Sequence, residues 1–375
     1  MIIKKIKLKN YRNYKDLEIN FDKKINIIYG DNAVGKTNLL ESIFLTATFK
    51  SHKNSKDSEI INFEEKTSHI NLLLEKNNKI HEIDVQLNKE RKKAIALNKI
   101  KQDKIINYIG FFNVIMFAPE DLSIIKEGPN LRRKFMDMEL CQIDKIYIKE
   151  LTNYNHTLKQ RNVLLKDIKY SNKNKNDLIE ILHSLNEILI RSAIIIIIKR
   201  YNLINDIKKI INDIHKEICD NKENLIIDYE NNVYKNNEII DIEKLKNKYK
   251  EILIKSEKDD IENEFTYYGP HRDDISFLID NKDIRKFGSQ GQKKIVAISL
   301  KLSELELLKN KIKENPILLL DDVFSELDEK RQKKLVEYVK ETQTFITCTG
   351  IKRNIFELLR PATIYHVFDN NIIKK

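Results

Sequence analysis

Two short segments far apart in the chain have to meet, and that requirement limits the fold more than any other feature. Gly30-Asp31-Asn32-Ala33-Val34-Gly35-Lys36-Thr37 fits G-x4-G-K-[ST]. It follows a predicted strand, Ile25–Tyr29, and opens a predicted helix running from Gly35 to about Thr48, which is the context a phosphate-binding loop requires. The glycines let the loop turn tightly so that backbone N–H groups face phosphate oxygens, and the helix N-terminus favours an anion. Lys36 is placed to reach the β- and γ-phosphates, and Thr37 to offer its hydroxyl to Mg²⁺. The second segment is Pro316-Ile317-Leu318-Leu319-Leu320, an apolar run of the kind buried on both faces of a central parallel strand. It ends in Asp321-Asp322. Asp321 is placed to hold Mg²⁺, directly or through water, and Asp322 to orient or activate an attacking water. Thr37 and Asp321 are 284 positions apart. A compact phosphate-loop domain does not need so many residues. The two segments therefore share one sheet, and the middle of the chain is an excursion from it.

Periodicity gives the outline of that excursion. Ile2, Ile6 and Leu8 alternate with lysines, and Leu17 to Phe21 alternates again, so the chain begins with strands. Residues 69–97 read as a hairpin around a Lys-Asn-Asn turn, and 113–117 as a short strand closed by Pro119. Glycine is absent from Pro129 to Tyr268, and apolar residues there recur at helical spacing. Leu178, Ile181, Leu182, Leu185, Ile188 and Leu189 are predicted to form one face of a long helix. The polar stretch 171–176 is expected to break two antiparallel helices. Strands return at 275–279, 316–320, 344–347 and 363–368, with helices at 291–311 and 328–340 between them. The expected architecture is an α/β fold, a mixed sheet with flanking helices, split into residues 1–130 and 265–375 around a mainly helical insertion or arm at 131–264.

Rare residues mark the same places. Of 8 glycines, five fall in three stretches: Gly30 and Gly35, Gly269, and Gly288 with Gly291. In so glycine-poor a chain each of these is expected where a Cβ is awkward. Three cysteines, Cys141, Cys219 and Cys348, are too far apart in sequence to read as a disulfide framework or a zinc pattern. The longest notable apolar run, Ala193 to Ile198, falls short of the roughly 20 residues of a membrane span. The N-terminus lacks the apolar core of a signal peptide. A cytoplasmic protein with no membrane partner is the expectation.

Two further motifs complete a set. Ser289-Gln290-Gly291-Gln292 precedes the helix at 291–311, and Ser325-Glu326-Leu327-Asp328 follows the acidic pair. Taken alone, Ser289 to Gln292 reads as a polar helix cap. In order with the phosphate loop and the acidic strand, these resemble the signature motif and D-loop of ATP-binding-cassette ATPases of the SMC and Rad50 type, and the chain is similar to the RecF family in particular. Supporting stretches are Asn10-Tyr11-Arg12-Asn13-Tyr14, Phe117-Ala118-Pro119-Glu120-Asp121-Leu122, Pro129-Asn130-Leu131-Arg132-Arg133-Lys134-Phe135-Met136-Asp137 and Tyr268-Gly269-Pro270-His271-Arg272-Asp273-Asp274.

The resemblance implies ATP with Mg²⁺ at residues 30–37, with Arg12 contributing to the nucleotide site. It also implies an ATP-dependent homodimer in which Ser289 to Gln292 of one protomer meets the γ-phosphate held by the other, with Ser325 and Asp328 in the D-loop. Lys36 and Asp322 would be the catalytic pair of a slow, DNA-stimulated ATPase acting as a switch. The implied DNA is single-stranded, duplex and gapped or junction DNA. RecR- and RecO-type mediators are the implied protein partners, with RecA loaded indirectly, in recombinational repair and the SOS response. Departures matter: Asp322 stands where many cassette ATPases carry glutamate, an aspartate that the RecF resemblance implies its relatives share. No histidine follows the strand at 344–347, leaving Thr347 or Thr349 for the switch role. Ser51-His52-Lys53 stands where relatives often have Ser-His-Arg, which keeps the charge and loses the bidentate fork.

Other readings have discriminators. The long helical insertion and the Asn10–Tyr14 motif argue against a transporter nucleotide-binding subunit. A tethering head of the SMC or Rad50 type would need a far longer coiled coil than 131–264. A DNA-binding scaffold that binds ATP without useful hydrolysis stays open because of Asp322. His271-Arg272-Asp273 is not a kinase catalytic loop, since Leu278 stands where that loop needs asparagine; a structural role is favoured for Arg272. The formal net charge is +11, from 68 basic and 57 acidic side chains. Residues 1–50 contribute +5 and 265–375 contribute +4, against +1 each from 51–130 and 131–264. The excess therefore lies in the two pieces expected to form the head, which points to a polyanion-facing surface there.

Overall fold

Ile25–Tyr29 is a strand with four of its five residues buried, and both of its neighbours come from the far end of the chain: Thr344–Cys348 on one side and Ala362–Phe368 on the other. The sheet runs Asn371–Lys374, Ala362–Phe368, Ile25–Tyr29, Thr344–Cys348, Ile317–Asp321, Val114–Phe117. Its pairings are parallel except in the hairpin of Ala362–Phe368 with Asn371–Lys374. Ile317 to Leu320 are wholly buried, as a strand covered on both faces must be. The strand of the acidic pair and the strand feeding the phosphate loop thus share one sheet, with Thr344–Cys348 between them.

A second six-stranded sheet is antiparallel throughout: Tyr14–Asn20, Ile2–Tyr11, Thr67–Lys76, Lys79–Asn88, Ala94–Leu97, Ile100–Lys101. Thr67–Lys76 buries Ser68, Ile70, Leu72 and Leu74 in strict alternation, the mark of a sheet with one covered face. Asn77 and Asn78 close the hairpin with positive φ at both positions, as a two-residue turn requires. Helix Lys36–Thr48 touches strands of both sheets and is buried on nearly every side. Three of its hydroxyls are satisfied within the helix: Ser42 donates to the Leu39 carbonyl, Thr46 to that of Ser42 and Thr48 to that of Phe44.

This computed structural model describes residues 1–22, 24–53, 55–171, 175–220, 222–234, 241–350 and 353–375. The elements above form one compact unit, Met1–Leu122 with Ile298–Lys375; Ser123–Ala297 form another. Within the second unit, Asp144 caps helix Lys145–Tyr170 by accepting from the Ile146 and Tyr147 amides. That helix packs antiparallel on the long helix Lys175–Cys219, joining Leu164, Leu165 and Ile168 to Leu182, with Leu178 and Leu185 alongside. The predicted break at 171–176 lies partly outside the described residues. A three-stranded antiparallel sheet, Lys282–Asp283, Asp274–Ile279, Leu225–Glu230, belongs to the same unit. The unit boundaries therefore differ from those read at 130/131 and 264/265. Strand Asp274–Ile279 carries the difference, because it pairs with Leu225–Glu230, a strand that sequence patterning did not show.

The long helix corrects two expectations. Leu182 and Leu189 are fully buried, but Ile181 is 51% and Ile188 50% exposed. The buried stripe follows 178, 182, 185 and 189, and 181 and 188 lie at its margin. The helix is also long and apolar enough, by length and composition, to cross a membrane, although its longest unbroken apolar run is short. Half of its most apolar window is buried within the unit, and its buried Arg200 pairs with Asp137 and Asp273. It is a core helix.

Candidate functional site

Gly35 adopts φ +106, and a Cβ there would fall 2.5 Å from Asn13 Nδ2 and 2.9 Å from the Tyr14 hydroxyl, so only glycine fits. Those neighbours hold the loop in shape. Tyr14 donates to the Gly35 carbonyl at 3.0 Å, Asn13 Nδ2 donates to the Val34 carbonyl at 3.2 Å, and Asn38 Nδ2 donates to Asn13 Oδ1 at 2.7 Å. Asn13 also bonds Asn370. The Lys36 ammonium donates to the carbonyls of Gly30 at 2.8 Å and Asp31 at 2.6 Å.

The Thr37 hydroxyl donates to Asp321 Oδ1 at 2.9 Å, and the Thr347 hydroxyl donates to the same oxygen at 2.6 Å. Asp322 turns out of the strand with φ 51, in the left-handed region, and its N–H donates to Thr347 Oγ1 at 3.0 Å. That turn separates the two carboxylates of the pair. Asp322 Oδ1 is buried and receives no hydrogen bond from any described residue. These groups line a cleft of about 370 Å³ with Asn32, Ala33, Gly35, Asn38, Lys53, Pro119 and Glu120. Its size suits a small ligand with several phosphates. Cys348 lies buried behind it; burial, reinforced by the Asp322 carboxylate, pushes its thiol up to about 12.

Other expected residues stand elsewhere. Arg12 does not line this cleft. Its guanidinium grips the buried carboxylate of Glu41 through two bonds of 2.9 Å, and also donates to Ser55 at 2.8 Å and to the Glu59 carbonyl at 2.9 Å. Ser51 donates to the same Glu41 carboxylate. Glu41 therefore ties two motif stretches to the helix behind the phosphate loop, and nothing in the sequence marked it. His52 packs edge-on against Phe44 at 5.4 Å, and burial lowers its pKa. Thr347 is bonded to the acidic pair as described; for Thr349 the structure adds no contact.

Ser289 to Gln292 lie in the second unit. Ser289 is exposed; its amide donates to Gln292 Oε1 at 2.9 Å, and the Gln292 amide donates to Ser289 Oγ at 3.2 Å. This reciprocal pair is a capping box for helix Gln290–Ile312. A Cβ on Gly291 would meet nothing closer than Ser289 Oγ at 3.9 Å, so among the described residues none demands glycine there. In the first unit, Ser325 donates to the Asp322 carbonyl at 2.7 Å, and Asp328 caps helix Glu329–Val339.

The Tyr268–Asp274 motif centres on the buried Asp273 in the second unit, with Tyr268 and Arg272 exposed. Arg200 donates to Asp273 Oδ2 at 3.1 Å, to Asp137 Oδ1 and to the Pro270 carbonyl; Tyr229 also donates to Asp273. Burial raises the Asp273 carboxyl to about 6 against the pull of Arg200. His271 sits between the Tyr154 hydroxyl and the Thr266 carbonyl, and burial drops its pKa to about 4. Arg272 lies over the Phe265 ring, 5.2 Å from its centroid.

The family described as RecF/RecN/SMC N terminal domain matches residues 2–374. The DNA replication and repair protein RecF of Agathobacter rectalis is 46% identical over 372 residues, 99% of each chain. That of Lachnospira eligens is 44% identical over the full length of both. The chain belongs to the RecF family. A solved structure of the recombination mediator protein RecF with ATP in the RecFOR pathway superposes on it with a TM-score of 0.92 at 36% identity, covering 100% of this chain and 97% of that one. The Smc head domain of Pyrococcus furiosus, at TM-score 0.55 and 16% identity, covering 100% of this chain and 96% of that one, shares the fold alone. The RecF family thus accounts for the split α/β architecture and for the meeting of the phosphate loop with the acidic strand.

Proposed function

We propose that this chain is a cytoplasmic ATP-binding protein of DNA replication and repair whose nucleotide sites close on dimerisation. The observation that carries the reading is the convergence of Thr37 and Asp321 at the mouth of a glycine-bearing phosphate loop, beside Asp322 Oδ1, which no described residue hydrogen-bonds. Gly30 to Thr37 would cradle the phosphates, with the Lys36 ammonium moving from the loop carbonyls to phosphate oxygens. Thr37 and Asp321 would hold Mg²⁺; a hydroxyl and a carboxylate are the hard oxygen donors that ion takes. The ion would neutralise phosphate charge. Asp322 would accept a hydrogen bond from the attacking water, one methylene further back than glutamate, so turnover is slow. Ser289 to Gln292 would complete the site of a second copy, and the open space around Gly291 supports a backbone approach from outside this chain. Arg12, locked to Glu41, would act on the nucleotide through the helix it braces. The head would be formed by the two end segments and the arm by the middle of the chain. Single-stranded, duplex and gapped DNA, RecO- and RecR-type mediators and, through them, RecA would be the partners.

ATP binding, and duplex and gapped DNA binding with and without ATP, test this with wild type and Lys36→Ala. Loss of ATP binding and of ATP-dependent DNA affinity in the variant is expected; equal DNA binding by both proteins under all conditions would overturn it. Sedimentation with ATP and DNA should show a dimer that Ser289→Arg abolishes. A second reading, a scaffold that binds ATP without useful hydrolysis, draws on the short side chain of Asp322. Phosphate release stimulated by DNA rules it out.

A further inference from the structure

The last turn of helix Lys175–Cys219 and the segment after it bring three metal-ligating side chains to one point. His215 and Cys219 are four positions apart and so share a face of the helix, and Glu223 folds back onto them. His215 Nε2 is 3.3 Å from Glu223 Oε2. Cys219 Sγ is 3.7 Å from that nitrogen and 3.8 Å from that oxygen. A zinc ion with tetrahedral bonds of about 2.0–2.2 Å to nitrogen and oxygen and about 2.3 Å to sulfur sets its ligands about 3.4 Å apart for N with O and about 3.6 Å for N or O with S. The observed triangle matches three corners of that tetrahedron to within about 0.2 Å.

Hydrogen bonding alone explains the triangle less well. A contact of 3.3 Å lies just beyond the roughly 2.7–3.2 Å range of an N–H donating to an oxygen. The surroundings favour a cation. The site lies at a helix C-terminus, where the backbone carries partial negative charge, and Asp280 is close enough to act on His215. Burial lowers the pKa of the imidazole, which favours the neutral form that ligates metal.

We propose that His215, Cys219 and Glu223 form a binding site for a divalent cation of the zinc class. Spacing of cysteines alone could not show it, because two of the three ligands are not cysteine. Glu223 carries the site into the signature segment: its other oxygen, Oε1, accepts from Gln292 Nε2 at 2.9 Å, and Gln292 in turn caps Ser289. A bound ion would fix the carboxylate that holds Gln292 in place.

Cobalt titration of the chelator-stripped full chain, without nucleotide, tests the site independently of any role of ATP. One ion per chain should bind and give a thiolate-to-cobalt charge-transfer band, bleached by added Zn²⁺. The carboxylate and hydroxyl of Asp321 and Thr37 have no sulfur and are silent in that band. Cys219→Ser should abolish the band, Glu223→Gln should weaken cobalt affinity by at least about tenfold, and Cys141→Ser should change neither. Glu223 is partly exposed, so its variant keeps the test open if Cys219→Ser folds poorly. No band in the wild type, a band that survives Cys219→Ser, or affinity unchanged in Glu223→Gln would overturn the proposal.

Discussion

The hydroxyl of Thr37 and the carboxylate of Asp321 meet at 2.9 Å, across 284 positions of sequence. The pair joins the helix after the phosphate loop to the end of a strand two places away in the sheet. If it serves one Mg²⁺, the two residues act as a unit and their losses do not add. Thr37→Ala and Asp321→Asn should each lower Mg²⁺–ATP affinity by about tenfold or more, and the double variant should be little worse than either alone. Titration calorimetry with and without Mg²⁺ checks this; additive losses, or equal losses without Mg²⁺, would argue for two separate roles.

Glu41 predicts a stability effect at a residue with no place in any motif. Its side chain is 1% exposed and takes both bonds from Arg12. Removing one partner of a buried ion pair leaves the other uncompensated, at a cost of about 3–5 kcal/mol. Glu41→Ala should therefore lose stability on that scale in urea unfolding, and Arg12→Ala, whose partner is the fully buried one, should lose no less. A loss under about 1 kcal/mol in both would show the pair to be incidental.

His271 and Asp273 make opposing predictions about acid. The Asp273 carboxyl is raised from 3.8 to about 6, so its contribution is complete below about 3.8 and is lost as pH rises to 6. His271 is lowered from 6.5 to about 4, so its contribution is complete above about 6.5 and is lost as pH falls to 4. Each is about 3 kcal/mol at 1.36 kcal/mol per unit, and between pH 4 and 6 they nearly cancel. Relative to wild type, Asp273→Asn should gain stability as pH rises through that window, and His271→Gln should lose it. Denaturation midpoints across the window decide; parallel pH profiles in all three proteins would remove both groups from the account.

Cys348 should be the slow thiol of the three. It is 2% exposed, and a thiol at about 12 instead of 9 carries about a thousandfold less thiolate at pH 8. Alkylation at pH 8 followed by peptide mapping should leave it unmodified in the folded protein and label it in urea. Native labelling at the rate of Cys141 would contradict this.

Much of the first unit was legible because its signals are local. The run Ile317–Leu320 can only be a strand covered on both faces, and the glycines at 30 and 35 stand where the backbone leaves no room for a Cβ. What stayed hidden depends on partners far away in sequence. Leu225–Glu230 has no clear alternation and becomes a strand because Asp274–Ile279 lies beside it. Arg12 looks like a ligand-facing cation until Glu41 is seen opposite. Asn13, Tyr14 and Asn38, which shape the phosphate loop, carry no spacing rule. Taken alone, Ser289 to Gln292 read as a polar helix cap, and Ser289 and Gln292 do exchange the two capping bonds.

The position of Ile25–Tyr29 has a consequence for synthesis. This strand is made early, yet both strands that flank it, Thr344–Cys348 and Ala362–Phe368, begin 315 or more positions after it ends at Tyr29. Until Thr344–Cys348 has been made, it has no strand to pair with. The phosphate loop it feeds therefore has no paired strand beneath it on a growing chain, and a chain cut short before Thr344 carries an unpaired, apolar central strand. Closure of the nucleotide site then reports that the chain has been made as far as the strands that flank it.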